Sequence, residues 1–166
     1  MLWVGCSDSR VVPEFIVNAK AGDLFVTRNI ANIIPPAQAN DICTGSVLEY
    51  AVLHLNVEHI IICGHTGCGG ITTVVDGPPI NTKIEEWLQH ACKAKQTVEK
   101  YGVEFQILNI IKENILLQAQ NLLTFDFIEE RVTSKELQIH KWLYDMNSGK
   151  ITCYLENHAN WLYLNK

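Results

Sequence analysis

Two short segments hold most of the side chains able to do chemistry: Cys6-Ser7-Asp8-Ser9-Arg10 near the start, and His65-Thr66-Gly67-Cys68 about sixty residues later. Two thiolates and an imidazole form a zinc ligand set that fills three of four tetrahedral positions. Structural zinc sites close all four, so this count points to a catalytic ion with one position left for water or substrate. The glycines around His65 and Cys68 suit a tight loop in which both ligands bend toward one ion. Asp8 and Arg10 stand two apart, on one side of an extended segment, where the guanidinium can hold the carboxylate. Asp8 then has two states: it orients a water on the metal, or it swings over to take the fourth position and shuts the site. A nucleophilic role for Cys6 fits less well, because the three residues between Cys6 and Arg10 are too few for a phosphate-cradling loop.

The elements around these segments read as an α/β fold with a mainly parallel central sheet flanked by helices. Residues 2–6 and 57–63 are continuous apolar runs of the kind a doubly covered strand needs, and residues 24–27 are rich in strand formers. Between them residues 44–55 switch to helical spacing, with Thr44 or Ser46 as the cap. Strand, helix and strand in that order imply parallel pairing. Both chemical segments then fall at strand carboxyl ends, where open parallel sheets gather ligands. Residues 82–100 and 105–123 read as helices separated at Gly102, and residues 124–135 as a shorter one. Residues 137–145 and 151–155 form a hairpin around Asn147-Ser148-Gly149.

Composition narrows the function. The 166 residues are 48% hydrophobic and 19% charged, enough for one domain over residues 1–166. A net charge of -5 argues against nucleic acid as a partner. No apolar run approaches the roughly 20 residues that cross a bilayer, so no membrane is expected. The six cysteines form no even framework and no basic leader opens the chain, which points to a reducing, cytoplasmic setting. There, Cys near His suggests metal or catalysis. Cys43, Cys63, Cys92 and Cys153 are read as small buried hydrophobes. His54, His59, His90 and His158 are read as helix caps or solvent-facing groups, and Arg131 as an ordinary surface residue.

The motifs CSDSRV from Cys6, GDLFVTRNIAN from Gly22, SVLEYAV from Ser46 and IICGHTGCGG from Ile61 resemble the β-class carbonic anhydrases. The likeness continues through ENILLQAQNL and HKWLYD, so it covers nearly the whole chain. It implies one Zn2+ per chain held by Cys6, His65 and Cys68, with Asp8 and Arg10 as a dyad that orients or gates the fourth position. It implies reversible hydration of carbon dioxide to bicarbonate and a proton by attack of zinc-bound hydroxide. A homodimer or tetramer is the implied assembly. One subgroup of that family carries an inhibitory bicarbonate pocket made of a Trp, an Arg and a Tyr, and Trp3, Arg28 and Tyr144 stand at those positions.

Two features depart from the family pattern. Only five residues precede Cys6, so the helical arm usual at the N-terminus is expected to be absent. The Gly that usually follows the late-strand His is Lys141. The alternative reading is a catalytically weak or inactive zinc-binding member, a bicarbonate sensor or structural partner, in which Asp8 permanently closes the metal.

Overall fold

The computed structural model describes residues 1–101 and 106–164. Its first strand, β1 (Leu2–Cys6), is buried along its whole length. A short helix α1 (Pro13–Val17) starts on a proline, whose fixed φ suits a first turn, and leads to β2 (Phe25–Asn29). Helix α2 (Ile42–Glu49) follows and widens into a π-turn over Tyr50–His54, closed by the Leu55 N–H donating to the Tyr50 carbonyl at 2.9 Å. Then come β3 (His59–His65), α3 (Gly69–Asp76), α4 (Lys83–Lys100), α5 (Ile107–Leu122) and α6 (Asp126–Thr133). The chain ends in β4 (Gln138–Tyr144), β5 (Ile151–Leu155) and β6 (Asn160–Tyr163).

The strands form one sheet in the order β2-β1-β3-β4-β5-β6. The first three pairings, β1 with β2, β1 with β3 and β3 with β4, are parallel, and the last two are antiparallel. From β1 the chain moves outward to β2 on one side and returns to add β3 on the other. That reversal opens a crevice at the carboxyl ends of β1 and β3, where Cys6 and His65 stand.

Alternation along the strands divides the core. Leu2, Val4, Ile60 and Ile62 face one side and pack with Leu48, Leu88, Ile110 and Ile115. Trp3, Ile61 and Cys63 face the other, against Val11, Ile16, Val17 and Trp142. Lys141 lies in the middle of β4, nine-tenths buried, with its Nζ on Glu156 and over the Tyr154 ring. An amphipathic stem covered by apolar groups, with its charge paired at the rim, is how a lysine occupies such a position.

Several expectations are corrected. The cap of α2 is Asp41, whose carboxylate accepts from the Thr44 N–H at 2.7 Å, so the helix starts before Thr44 and Ser46. Cys43 is exposed on the outer side of the first turn of α2, and Cys92 and Cys153 are only partly covered; Cys63 is the buried apolar thiol. Arg131 is mostly buried, donating to the Val52 carbonyl at 2.8 Å and pairing with Glu136. His59 faces His140 across β3 and β4, Nδ1 to Nε2 at 3.1 Å. The break expected at Gly102 and the helix start at Phe105 lie outside the described residues.

Candidate metal centre

Cys6 closes β1, His65 closes β3, and Cys68 stands at the N-terminus of α3. Between the last two the chain turns through Gly67 at φ +67°, a conformation that favours glycine. Their ligand atoms all lie within 4.8 Å of one another and all three residues are buried. The two sulfurs are 4.0 Å apart, near the ~3.8 Å that tetrahedral geometry gives for two Zn–S bonds of about 2.3 Å. His65 supplies the deciding detail. Its Nδ1 lies 3.0 Å from the Thr66 carbonyl, which can only accept, so Nδ1 carries the proton and Nε2 keeps its lone pair. That buried Nε2 has no partner among the described residues. A buried acceptor without a donor is costly, and a cation between it and two sulfurs removes the cost. The donor set fits zinc, a borderline-soft ion that takes thiolate and imidazole.

The thiols are electrostatically unequal. The Cys68 thiol donating to it, with the backbone N–H groups of Asp8 and Ala31, pulls Cys6 well below the ordinary thiol value against the opposing effect of burial. Cys68 is pushed up by holding that proton and by burial. Metal binding requires both sulfurs as thiolates.

Asp8 is outside the ligand group. Arg10 holds its carboxylate on both oxygens, Nε to Oδ1 at 2.9 Å and Nη2 to Oδ2 at 2.6 Å, and the Arg10 backbone N–H adds a third bond at 3.0 Å. These contacts keep the acid well below the ordinary carboxylate range. The Asp8 side chain is 16% exposed and that of Arg10 60%, so the pair sits at the mouth of the crevice.

A sequence model of the carbonic anhydrase family matches residues 1–151. The chain belongs to the β-carbonic anhydrase family. A carbonic anhydrase of Synechococcus elongatus is 34% identical over 158 residues, covering 91% of this chain and 58% of the relative. One from Helicobacter pylori is 36% identical over 170 residues, covering 95% and 77%. Among solved structures, the β-carbonic anhydrase CcaA superposes with a TM-score of 0.93 at 32% identity, over 99% of this chain and 77% of that one. A tetrameric β-carbonic anhydrase of Sordaria macrospora gives 0.83 at 33%, over 92% and 78%. The chain spans 58% and 59% of the lengths of its Synechococcus and Synechocystis relatives. In this family setting the Cys6–His65–Cys68 cluster is a site for one zinc ion.

Of the three residues matched to the β-carbonic anhydrase bicarbonate pocket, two share one cluster and the third, Arg28, pairs in register with Gly5 beneath the Trp3 indole. Trp3 and Tyr144 belong to the apolar cluster on the sheet face opposite Leu2 and Val4. The Trp3 indole lies over Gly5, where a Cβ would come within 2.4 Å of Nε1, and that buried N–H finds no acceptor among the described residues. Arg28 turns toward the zinc loop, donating from Nε to the Cys6 carbonyl at 2.8 Å and from Nη2 to the Asp8 carbonyl. No hydrogen bond among the described residues joins it to Trp3 or Tyr144.

Sequence reasoning missed the residues that hold the zinc loops from behind. Thr66 is tied to the end of β4 by its N–H on the Tyr144 carbonyl at 3.0 Å and its hydroxyl on Asp145. The irregular segment after β2 passes beside Cys6 with Ala31 at φ 64°, a left-handed conformation costing a non-glycine residue about 1–2 kcal/mol. Amides of α5 brace it. The signal was present: Asn114, Gln118 and Asn121 interrupt an otherwise apolar helical face.

Proposed function

We propose that this chain catalyses the reversible, zinc-dependent hydration of carbon dioxide to bicarbonate and a proton. The observation that carries the reading is the pairing of an unpartnered His65 Nε2 among two sulfurs with an Asp8 carboxylate held by Arg10 outside the ligand group. Three protein ligands leave one tetrahedral position free. A zinc ion held there supplies a Lewis acid that lowers the pKa of a coordinated water. Cys6, His65 and Cys68 fix the ion, and the Thr66 carbonyl fixes the tautomer of His65. Asp8, kept anionic and aimed by Arg10, serves as hydrogen-bond acceptor beside the open position. Two thiolates offset the metal's charge, so hydration rises toward alkaline pH.

Stopped-flow hydration of carbon dioxide by the zinc-loaded protein across pH 6–9 tests this. The expected result is hydration well above the buffer rate, increasing with pH and falling by about 10²-fold in Asp8→Asn, the scale of a lost proton acceptor. A rate no faster than buffer at every pH would refute the reading and favour the zinc-binding, non-catalytic alternative.

Bicarbonate inhibition is the second part of the proposal, supported by the Trp3 N–H that lacks an acceptor and by the Arg28 fork. Bicarbonate at Arg28 would release the carbonyls of Cys6 and Asp8, draw Arg10 or its loop away from the Asp8 carboxylate, and let Asp8 close on the metal. Trp3→Phe removes the N–H and keeps the ring; inhibition by bicarbonate weakens several-fold if the site is used and is unchanged if it is not. A homodimer or tetramer is the proposed assembly, in line with the tetrameric Sordaria relative and with Phe15, Ile42 and Ile80, each at least 78% exposed. Among the described residues no helix is long and apolar enough to cross a membrane, and the cytoplasm is the proposed compartment.

A further inference from the structure

Residues 30–34 follow β2 without regular strand pairing, and side chains take over the work of satisfying their backbone. The Ile30 carbonyl accepts from Trp87 Nε1 and the Ala31 carbonyl from Asn114 Nδ2, both at 3.0 Å. The Asn29 amide takes both the N–H and the carbonyl of Ile33. The Ile34 N–H donates to Gln118 Oε1 and its carbonyl accepts from Asn121 Nδ2, both at 2.8 Å. The amides of α5 are also joined to one another, Gln118 Nε2 donating to Asn114 Oδ1 at 2.9 Å and Asn121 Nδ2 reaching Gln118 Oε1 at 3.2 Å. The order sets a direction. Asn114 Oδ1 is occupied by Gln118, so only its NH2 can face the Ala31 carbonyl, and both side chains are buried, where an unpaired amide is costly.

The braced segment touches both sulfur loops. Ala31 is fully buried in the same cluster as Cys6 and Cys68. The side chains of Ile30 and Ala31 press on Gly70, where a Cβ would come within 2.8 Å of Ile30 Cγ2 and 3.0 Å of Ala31 Cβ. Gly70 is two residues after Cys68 in the first turn of α3. Ala31 and Asn32 both have positive φ, so the segment needs outside contacts to hold this shape.

We propose that Asn114 and Gln118 are positioning residues of the zinc site: they clamp the left-handed turn at Ala31 so that it packs beside Cys6 and, with Ile30, seats the Cys68 loop against Gly70. Neither touches metal or substrate. Outer partners of this kind change metal affinity by about 10–100-fold when removed. The proposal rests on the zinc ligands and is independent of the reaction.

The test compares Asn114→Leu, which keeps the volume and loses the donor, with Gln118→Glu, which keeps the acceptor for Ile34 and loses the donor to Asn114. Ile128→Ala, a buried position on α6, controls for general destabilisation. Zinc affinity is read by chelator competition, and ligand geometry by the thiolate-to-cobalt charge-transfer band after cobalt substitution. Both clamp variants should bind zinc at least tenfold more weakly with a shifted or weakened band, while the control stays within twofold of the parent with the parent's band. Wild-type affinity and spectrum in the clamp variants, or equal losses in the control, would overturn the proposal. If Asn114→Leu does not fold, Gln118→Glu decides by the same criteria. Carbon dioxide hydration is not read, so an inactive protein would leave this test intact.

Discussion

Replacing Gly64 with alanine puts a methyl group where α5 rests on β3. A Cβ there would stand 2.7 Å from Ile115 Cδ1, 2.8 Å from Ile115 Cγ1 and 3.4 Å from Ile111 Cγ2. Ile115 is fully buried, so it has no open space to move into, and overpacking of this size costs about 1–3 kcal/mol. At ~2–4 °C per kcal/mol for a domain of this length, the melting temperature should fall by roughly 2–12 °C. Ile115→Val deletes Cδ1, one of the two closest atoms, and alone costs about 0.5–1.5 kcal/mol. In the double variant the worst contact is gone, so the two losses should not add, with a coupling of at least ~0.5 kcal/mol. Calorimetry and denaturant unfolding of the four metal-free proteins measure this cycle. Zinc affinity gives a second readout, because Gly64 adjoins His65: it should drop in Gly64→Ala and recover in part in the double variant. Losses additive within about 0.3 kcal/mol, or wild-type stability in Gly64→Ala, would show that α5 does not hold β3 in place at the metal ligand.

Two further outcomes are expected. His65→Ala removes the buried Nε2 that has no other partner, and metal analysis after dialysis should show at least a tenfold loss of bound zinc; full occupancy would refute the ligand assignment. Burial first, then the charges of His59 and Lys141, hold His140 below the ordinary histidine value, so the unfolded chain takes up a proton that the folded one resists. Stability is therefore unaffected by His140 above about pH 6.5 and falls below it, and His140→Gln should flatten the acid limb of melting temperature against pH. A parallel limb in the variant would assign the loss to other groups, since His140 faces His59 on β3 and Trp142 and Lys141 on its own strand.

The parts legible in the sequence were those written locally. The strand at Leu2–Cys6 announced itself as an apolar run, as did the one read at residues 57–63, which the structure sets two residues later at His59–His65, and the ligand set by residue type alone. The short helices were not legible: α1 has five residues, and α3 begins inside the glycine-rich ligand segment that reads as loop. The Asn114–Gln118–Asn121 clamp acts across 83 to 87 residues, and no local pattern reports such a partner. Arg28 shows the same limit. A guanidinium reads as an anion site, but the acceptors it meets here are the carbonyls of Cys6 and Asp8, which only the pairing of β1 with β2 brings within reach.

Cys6 and Cys68 stand 62 residues apart in sequence and 4.0 Å apart in space. An ion gripping both acts on the unfolded chain as a reversible cross-link: a covalent tie closing a loop of that length would remove conformational freedom equivalent to about 4 kcal/mol. The loop it closes contains β2, α2 and β3, and the tie lies beside the parallel pairing of β1 with β3, a non-local contact of the kind that slows folding. An ion held by both sulfurs would thus also staple β1 to β3, whose paired residues Leu2 and Ile60 stand 58 positions apart.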